Sequence, residues 1–239
     1  MTPETKGPLT SAMVALTATT GLIEAVSYLV LGPAFTAMQT GNLLLLAFAL
    51  TGQGGSVTAS LASLGGFVLG VVLGARTESR LDRRGHEWLV SALLVEAALL
   101  AAAGGVAWQI DDTGGPLSAR HHVVICLVAV AMGMRNVTTM RAKVPDLPTT
   151  LTTRSMTALF MGSPLGLDTS VGTGARKTAR RAASVGAMFL GGLLGAWMLR
   201  ESVRPPLVLL TAAAAVLCVA ETFSLVARRR RRHAPTARP

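Results

Sequence analysis

Eight apolar segments punctuate the chain: A (10–31), B (34–51), C (57–75), D (88–108), A′ (121–140), B′ (148–162), C′ (181–199) and D′ (205–227). A helix needs about 20 residues to cross a hydrocarbon layer roughly 30 Å thick. Segments A, C, D, A′, C′ and D′ reach that length. B is borderline, and B′ opens on the polar run Pro148-Thr149-Thr150-Leu151-Thr152-Thr153-Arg154. From 25 to 75 there is no Asp, Glu, Lys, Arg or His, a run of 51 residues, and 182–199 and 205–220 are also uncharged. A soluble fold of this size could not bury so much uncharged chain without exposing large apolar patches. The pattern predicts an all-α polytopic membrane protein.

The segments repeat. A displacement of 112 positions carries Gly21 onto Gly133, Glu24 onto Asn136, Thr40 onto Thr152 and Phe48 onto Phe160 without a gap. A displacement of 121 carries Gly70 onto Gly191, Leu73 onto Leu194 and Gly74 onto Gly195. The extra nine residues fall in the Gly/Ser-containing loop 162–174, where insertions are tolerated. This divides a membrane domain, 10–227, into repeats 10–108 and 121–227, with a short tail 1–9 before it and a basic tail 228–239 after it.

Charge decides how many segments cross. If all eight span, the two sides carry 12 and 8 Lys/Arg, which is almost no bias. If B and B′ are re-entrant or interfacial, the sides carry 18 and 3, the asymmetry expected of cytoplasmic against external loops. Six spanning helices then remain, three per repeat, and an odd number per repeat inverts one half relative to the other. Both termini fall in the cytoplasm. If B alone spans, the count is still 17 to 4, with seven helices and an external N-terminus. The gapless match of B to the short, polar B′ favours six. The opening residues 1–10 make a poor signal peptide, so segment A is expected to be retained.

Composition agrees. Charged residues are 14% of the 239, against about 25% in a soluble domain. The net charge of +10 sits in short juxtamembrane blocks and in Arg228–Arg232, with no interleaved aromatics. That is the distribution of a chain meeting anionic lipid headgroups, not nucleic acid. Cys126 and Cys218 lie in apolar segments as small filler. No HExxH, GxxxxGK[ST], GxSxG or CxxC occurs, and His86, His121, His122 and His233 lack ligand partners at metal spacing. No enzyme, cofactor or metal is expected.

Polar residues inside spanning segments are costly and therefore informative. Glu24, Glu96, Arg135 and Glu221 lie within helices, and Gln39, Thr40, Asn42, Asn136, Thr152, Thr153 and Arg154 cluster around B, A′ and B′. An unpaired charge at that depth is expensive, so a Glu24–Arg135 pair is expected, with Glu96 as the competing partner. Glu221, near a membrane edge, is given no role. Thr40-Gly41-Asn42 follows the Pro33 break and reads as a helix start, with Thr or Asn as cap and free N–H groups ahead. Such termini of broken helices bind anions or polar solutes. Gly66, Gly70 and Gly74 share one helix face, repeated by Gly191 and Gly195, which allows close backbone approach. That face suits packing within the chain or the seam of a homodimer.

Two stretches carry a resemblance. Gly21-Leu22-Ile23-Glu24-Ala25-Val26-Ser27, then Leu31-Gly32, Phe35, Ala37 and Thr40-Gly41-Asn42, resemble the opening signature of the YoaK-like family of bacterial integral membrane proteins, a family of unknown function. Gly133-Met134-Arg135-Asn136, followed by Asp146-Leu147-Pro148-Thr149-Thr150 and Thr152, resembles its second signature. The likeness covers about residues 10 to 225 and implies about six spanning helices. The family usually has Asp where this chain has Glu24 and Gln where it has Arg135, so a solute read by those groups would differ here. The 19 Arg to 3 Lys, a mark of GC-rich coding, fit a bacterial source and hence an inner-membrane location. The expected function is a transporter-like permease for an unknown small solute. A non-transporting scaffold or lipid-associated protein is the other class.

Overall fold

A computed structural model describes residues 3–83, 88–110, 117–142, 152–163 and 174–233, and the side chains of these except at 3–8, 152 and 226–233. Every regular element among them is helical: α1 (Pro3–Val26), α2 (Gln39–Leu50), α3 (Val57–Arg83), α4 (Trp88–Ala107), α5 (Ala119–Ala142), α6 (Thr152–Met161), α7 (Ala175–Arg200) and α8 (Pro205–His233). A single π-helical turn, Ser27–Leu31, prolongs α1.

Six of these elements are long and apolar enough to cross a membrane: Leu9–Leu31, α3, α4, α5, α7 and Pro205–Leu225. Helix α2 has 12 residues and α6 has 10. They rise about 18 Å and 15 Å, well short of a hydrocarbon layer of roughly 30 Å. Segment B is therefore a short helix and not a seventh span, and the described residues of this multi-pass membrane protein hold six helices able to cross.

Helices α1, α4, α5 and α8 form the interior. Their facing side chains include Leu16, Ile23, Leu93, Leu100, Ile125, Met132, Leu209 and Val216, all fully buried or nearly so. Helix α3 lies along α5, α7 lies along α1, and α4 and α8 pack on each other. The short helices α2 and α6 rest on α3 and α7. Exchange α1 with α5, α2 with α6, α3 with α7 and α4 with α8, and these packed pairs are unchanged. The outward faces of α3 and α7 carry Leu61, Val68, Leu69, Phe189, Leu190, Leu193 and Trp197, all exposed, as a lipid-facing surface requires.

Glycine sets how closely the outer helices approach. A Cβ on Gly70 would collide with the Val130 carbonyl, and one on Gly133 with that of Phe67, across α3 and α5. A Cβ on Gly191 would collide with the Ala18 carbonyl, and one on Gly21 with that of Met188, across α1 and α7. A Cβ on Gly66 or Gly195 would come within 2.7 and 2.9 Å of the Cys126 and Leu22 carbonyls, and one on Gly74 within 3.1 Å of Met134 Cα. Lipid tails are as apolar as the helices, so close van der Waals packing of this kind is what holds them together. The glycine faces are thus occupied inside the chain.

Candidate functional site

Helix α1 ends in a break. After the π turn the chain runs through Gly32, whose φ of +131° only glycine adopts without strain. It reaches α2 at Gln39 with no side-chain cap there. Residues 32–38 therefore present peptide groups with no helical partner inside a spanning bundle, where each would cost several kcal/mol unpaired. Polar side chains bond the N–H groups of Phe35, Thr36 and Ala37 and the carbonyls of Ala34, Phe35 and Thr36, while the Ala34 N–H turns back to the Gly32 carbonyl.

Glu24 Oε1 accepts the N–H of Thr36 at 3.0 Å, the Thr36 hydroxyl at 3.0 Å and the N–H of Ala37. Ser27 donates to the Ala34 carbonyl at 2.7 Å. Asn42 clamps Phe35 from both sides: its Oδ1 accepts the Phe35 N–H at 2.8 Å and its Nδ2 donates to the Phe35 carbonyl. Gln39 Nε2 donates to the Thr36 carbonyl at 2.8 Å and lies 3.2 Å from Ser63 Oγ. Ser63, on α3, in turn bonds the Phe35 carbonyl and Asn42. The Phe35 ring stacks on Tyr28, 4.9 Å between centroids, and lies over Gly41, where a Cβ would come within 2.8 Å of it. Gly41 is thus small so that Phe35 can fold back onto the start of α2.

The expected Glu24–Arg135 pair does not form. Arg135, fully buried on α5, binds Glu96 of α4 through Nε at 2.9 Å and through Nη2. Its Nη1 reaches α1, donating to the Leu16 carbonyl at 2.8 Å and Thr20 Oγ1 at 2.7 Å. The reason lies in supply. Glu24 already serves the orphaned donors of the break, and Glu96 is the carboxylate that α4 brings against α5. Glu96, the competing partner at the sequence level, is the actual one.

The other predicted residues separate. Thr40 is exposed at the start of α2 and makes no cap; Asn42 serves the break instead of the helix terminus. Asn136 is half-buried on α5. Arg154 is exposed on α6. Thr149 and Thr150, and the side chains of Thr152 and Arg228–Arg232, lie outside the described residues. Ser63 and Thr36 escaped the sequence reading. Ser63 was findable, because it sits three residues before Gly66 on the same small-residue face; Thr36 was not, because its role depends on the path of the break.

A second polar cluster closes the far end of α3 and α5. Glu78, buried, accepts from the Thr138 hydroxyl, and its Oε2 lies 3.9 Å from Arg141 Nε. Arg141 also approaches Asp82 at 3.7 Å and stands over the Trp88 ring at 5.6 Å. At the opposite end, Arg204 bonds the Trp108 carbonyl at 3.0 Å and covers its ring, while His122 meets Thr58 at 2.8 Å. Among the described residues no group of three or more His, Cys, Asp or Glu is placed to hold a metal ion.

Six apolar helices, four of them paired along glycine seams, with one span broken and its peptide groups held by polar side chains, define a polytopic helical membrane protein. The chain belongs to the family described as "Protein of unknown function (DUF1275)", whose pattern matches residues 12–221. It is similar to the "UPF0700 transmembrane protein YoaK" of Bacillus subtilis (strain 168), at 28% identity over 145 residues, 59% of this chain and 61% of that protein. The matched part thus spans about three-fifths of that relative's length. No solved structure matches.

Proposed function

We propose that the protein is a permease for a small polar solute, built from two inverted halves in a bacterial inner membrane with both termini in the cytoplasm. Arg135 is the observation that carries this reading: it is buried and bonded to two groups of helices at once. Set as α2, α3, α4 and α5 against α1, α6, α7 and α8, the bundle divides along the packed pair α4 and α8, which rocking would have to slide. Arg135 and Glu96 belong to the first; Leu16 and Thr20 belong to the second. Rocking of the groups would keep the ion pair and exchange the bonds to α1, which is the step alternating access needs. The broken segment at Glu24, with Gln39 and Asn42, is largely buried and bonded to itself here, and would meet a solute only once rocking opens it. No bond-making chemistry is assigned, and Arg228–Arg232 would rest on anionic headgroups.

The test is an uptake screen in proteoliposomes with ions, amino acids, organic acids, sugars and nucleosides. Accumulation of one class above empty vesicles, reduced at least tenfold in Glu24→Gln and Thr20→Val, supports the permease. Absence of accumulation for every class overturns it. The second reading, a static scaffold, has its own support. The side-chain bonds to the Ala34, Phe35 and Thr36 peptide groups close within the protein, as a structure that never opens would require.

A further inference from the structure

We propose that the end of α3 binds one anionic phospholipid, with its phosphate between Arg76, Arg80 and Arg83 and an acyl chain along Leu73 and Leu69. This does not depend on the permease reading. The argument starts from spacing. Positions 69, 73, 76, 80 and 83 recur at intervals of three and four, so they form one continuous stripe on a helix. All five side chains are exposed. The stripe changes once along its length, from leucine to arginine, which is the division of a phospholipid into chain and headgroup. From Arg76 to Arg83 is about 10 Å along the axis.

The arginines are not there for want of a place to put carboxylates. Glu78 and Asp82 share the same helical turns, but both are directed to the α5 side. Glu78 is buried against Thr138, and both acids approach Arg141. The three outward guanidinium groups have no hydrogen bond or ion pair with any described residue. Between them lies a shallow groove of about 340 Å³, lined by Ala75, Arg76, Ser79, Arg80 and Arg83. The small Ala75 leaves the room, and the Ser79 hydroxyl adds a neutral donor beside the cations. A single guanidinium binds two phosphate oxygens in a bidentate fork, which an ammonium group does not reproduce. A free phosphate would use the groove alone; only a lipid uses the leucines above it as well.

The test is native mass spectrometry of the full chain released from neutral detergent, titrated with phosphatidylglycerol, phosphatidylcholine or glycerol phosphate. Phosphatidylglycerol should be retained preferentially. R76Q/R80Q/R83Q should weaken its retention about a hundredfold, since each arginine at an anionic surface is worth roughly fivefold. The single R80Q, which removes one surface charge and no packing, should weaken it about fivefold. R228Q/R229Q/R230Q, which removes the same charge elsewhere, should change it less than threefold. Equal losses in the groove and tail variants would reduce the effect to diffuse attraction and overturn the site. Retention of glycerol phosphate as strongly as the lipid would make it a soluble-anion site and overturn the lipid.

Discussion

The two halves share a skeleton and differ in chemistry. Gly21 lies against Met188 and Gly133 against Phe67; Gly191 lies against Ala18 and Gly70 against Val130. Each contact maps onto its counterpart by the displacements of 112 and 121 positions. Several polar residues do not follow. Glu24 corresponds to Asn136, Asn42 to Arg154, Ser60 to Arg181 and Ile23 to Arg135. Where the backbones approach most closely, at Gly70 and Gly191 and at Gly21 and Gly133, both copies keep glycine, whereas Gly66 answers to Ala187. Polar positions answer to local demands that differ: in the first half a broken backbone needs acceptors, and in the second a buried guanidinium needs a carboxylate. Packing is held in common while polar chemistry is free to diverge.

The strongest way to break the comparison is at the seams. Gly70→Ala and Gly191→Ala should each cost about 3 kcal/mol or more, because the added methyl meets backbone that cannot step aside. Gly65→Ala and Gly105→Ala, where nothing lies within 4 Å, should be neutral or stabilise by up to about 1 kcal/mol through helix propensity. Thermal unfolding in detergent separates the two sets. A tolerated alanine at Gly70 with a damaging one at Gly191 would show that the halves are not held alike.

The ion pair comes next. Glu96→Gln should cost about 3–5 kcal/mol by leaving the Arg135 guanidinium buried with a neutral partner. Combining Glu96→Leu with Arg135→Ile, the residue at the corresponding place in the other half, should cost much less than the two single changes together. Additive losses would mean that the pair is not the unit of stability. The break is third. Glu24→Gln keeps one acceptor oxygen but sets an amide N–H group where Oε2 also faces the Thr36 N–H, at about 1–3 kcal/mol. Glu24→Asn, which copies the other half, should cost more because its shorter chain draws the oxygen back. Equal stability of both variants and the parent would free the break from Glu24.

What the sequence discloses follows the same line. Lengths of apolar segments and the Lys/Arg asymmetry give the six spans, because crossing a bilayer is a one-dimensional constraint. The glycine spacing gives the seams, because close approach depends on one small residue at a time. The partner of Arg135 was not legible. Glu24 and Glu96 are both buried carboxylates on spanning helices, and only the assembled bundle shows that the first is already engaged by Thr36 and Ala37. Asn42 was found by its place in Thr40-Gly41-Asn42 but misassigned as a cap, since nothing in a local pattern says that the chain turns back and sets Phe35 against it. Glu78, Thr138 and Arg141 went unread because they lie at the end of α3 and α5, where charged residues are ordinary.

The smallest expected effect isolates the contrast between the halves most cleanly. Ser63 and Ser184 correspond at 121 positions, are both fully buried and sit on the helices that carry the two glycine seams. Their hydroxyls fare differently. Ser63 Oγ donates to the Phe35 carbonyl and accepts from Asn42 at 2.9 Å. Ser184 Oγ has no hydrogen-bond partner among the described residues. Replacing either with alanine removes one oxygen and alters volume equally, so packing cancels in the comparison. Ser63→Ala should cost about 1 kcal/mol or slightly more, because the Asn42 amide and the Phe35 carbonyl then lose a bond inside the bundle. Ser184→Ala should be neutral or stabilise by a few tenths of a kcal/mol, since it removes a buried hydroxyl that already forgoes its bond. A loss at Ser184 as large as that at Ser63 would mean that the second half builds a polar network there to match the first.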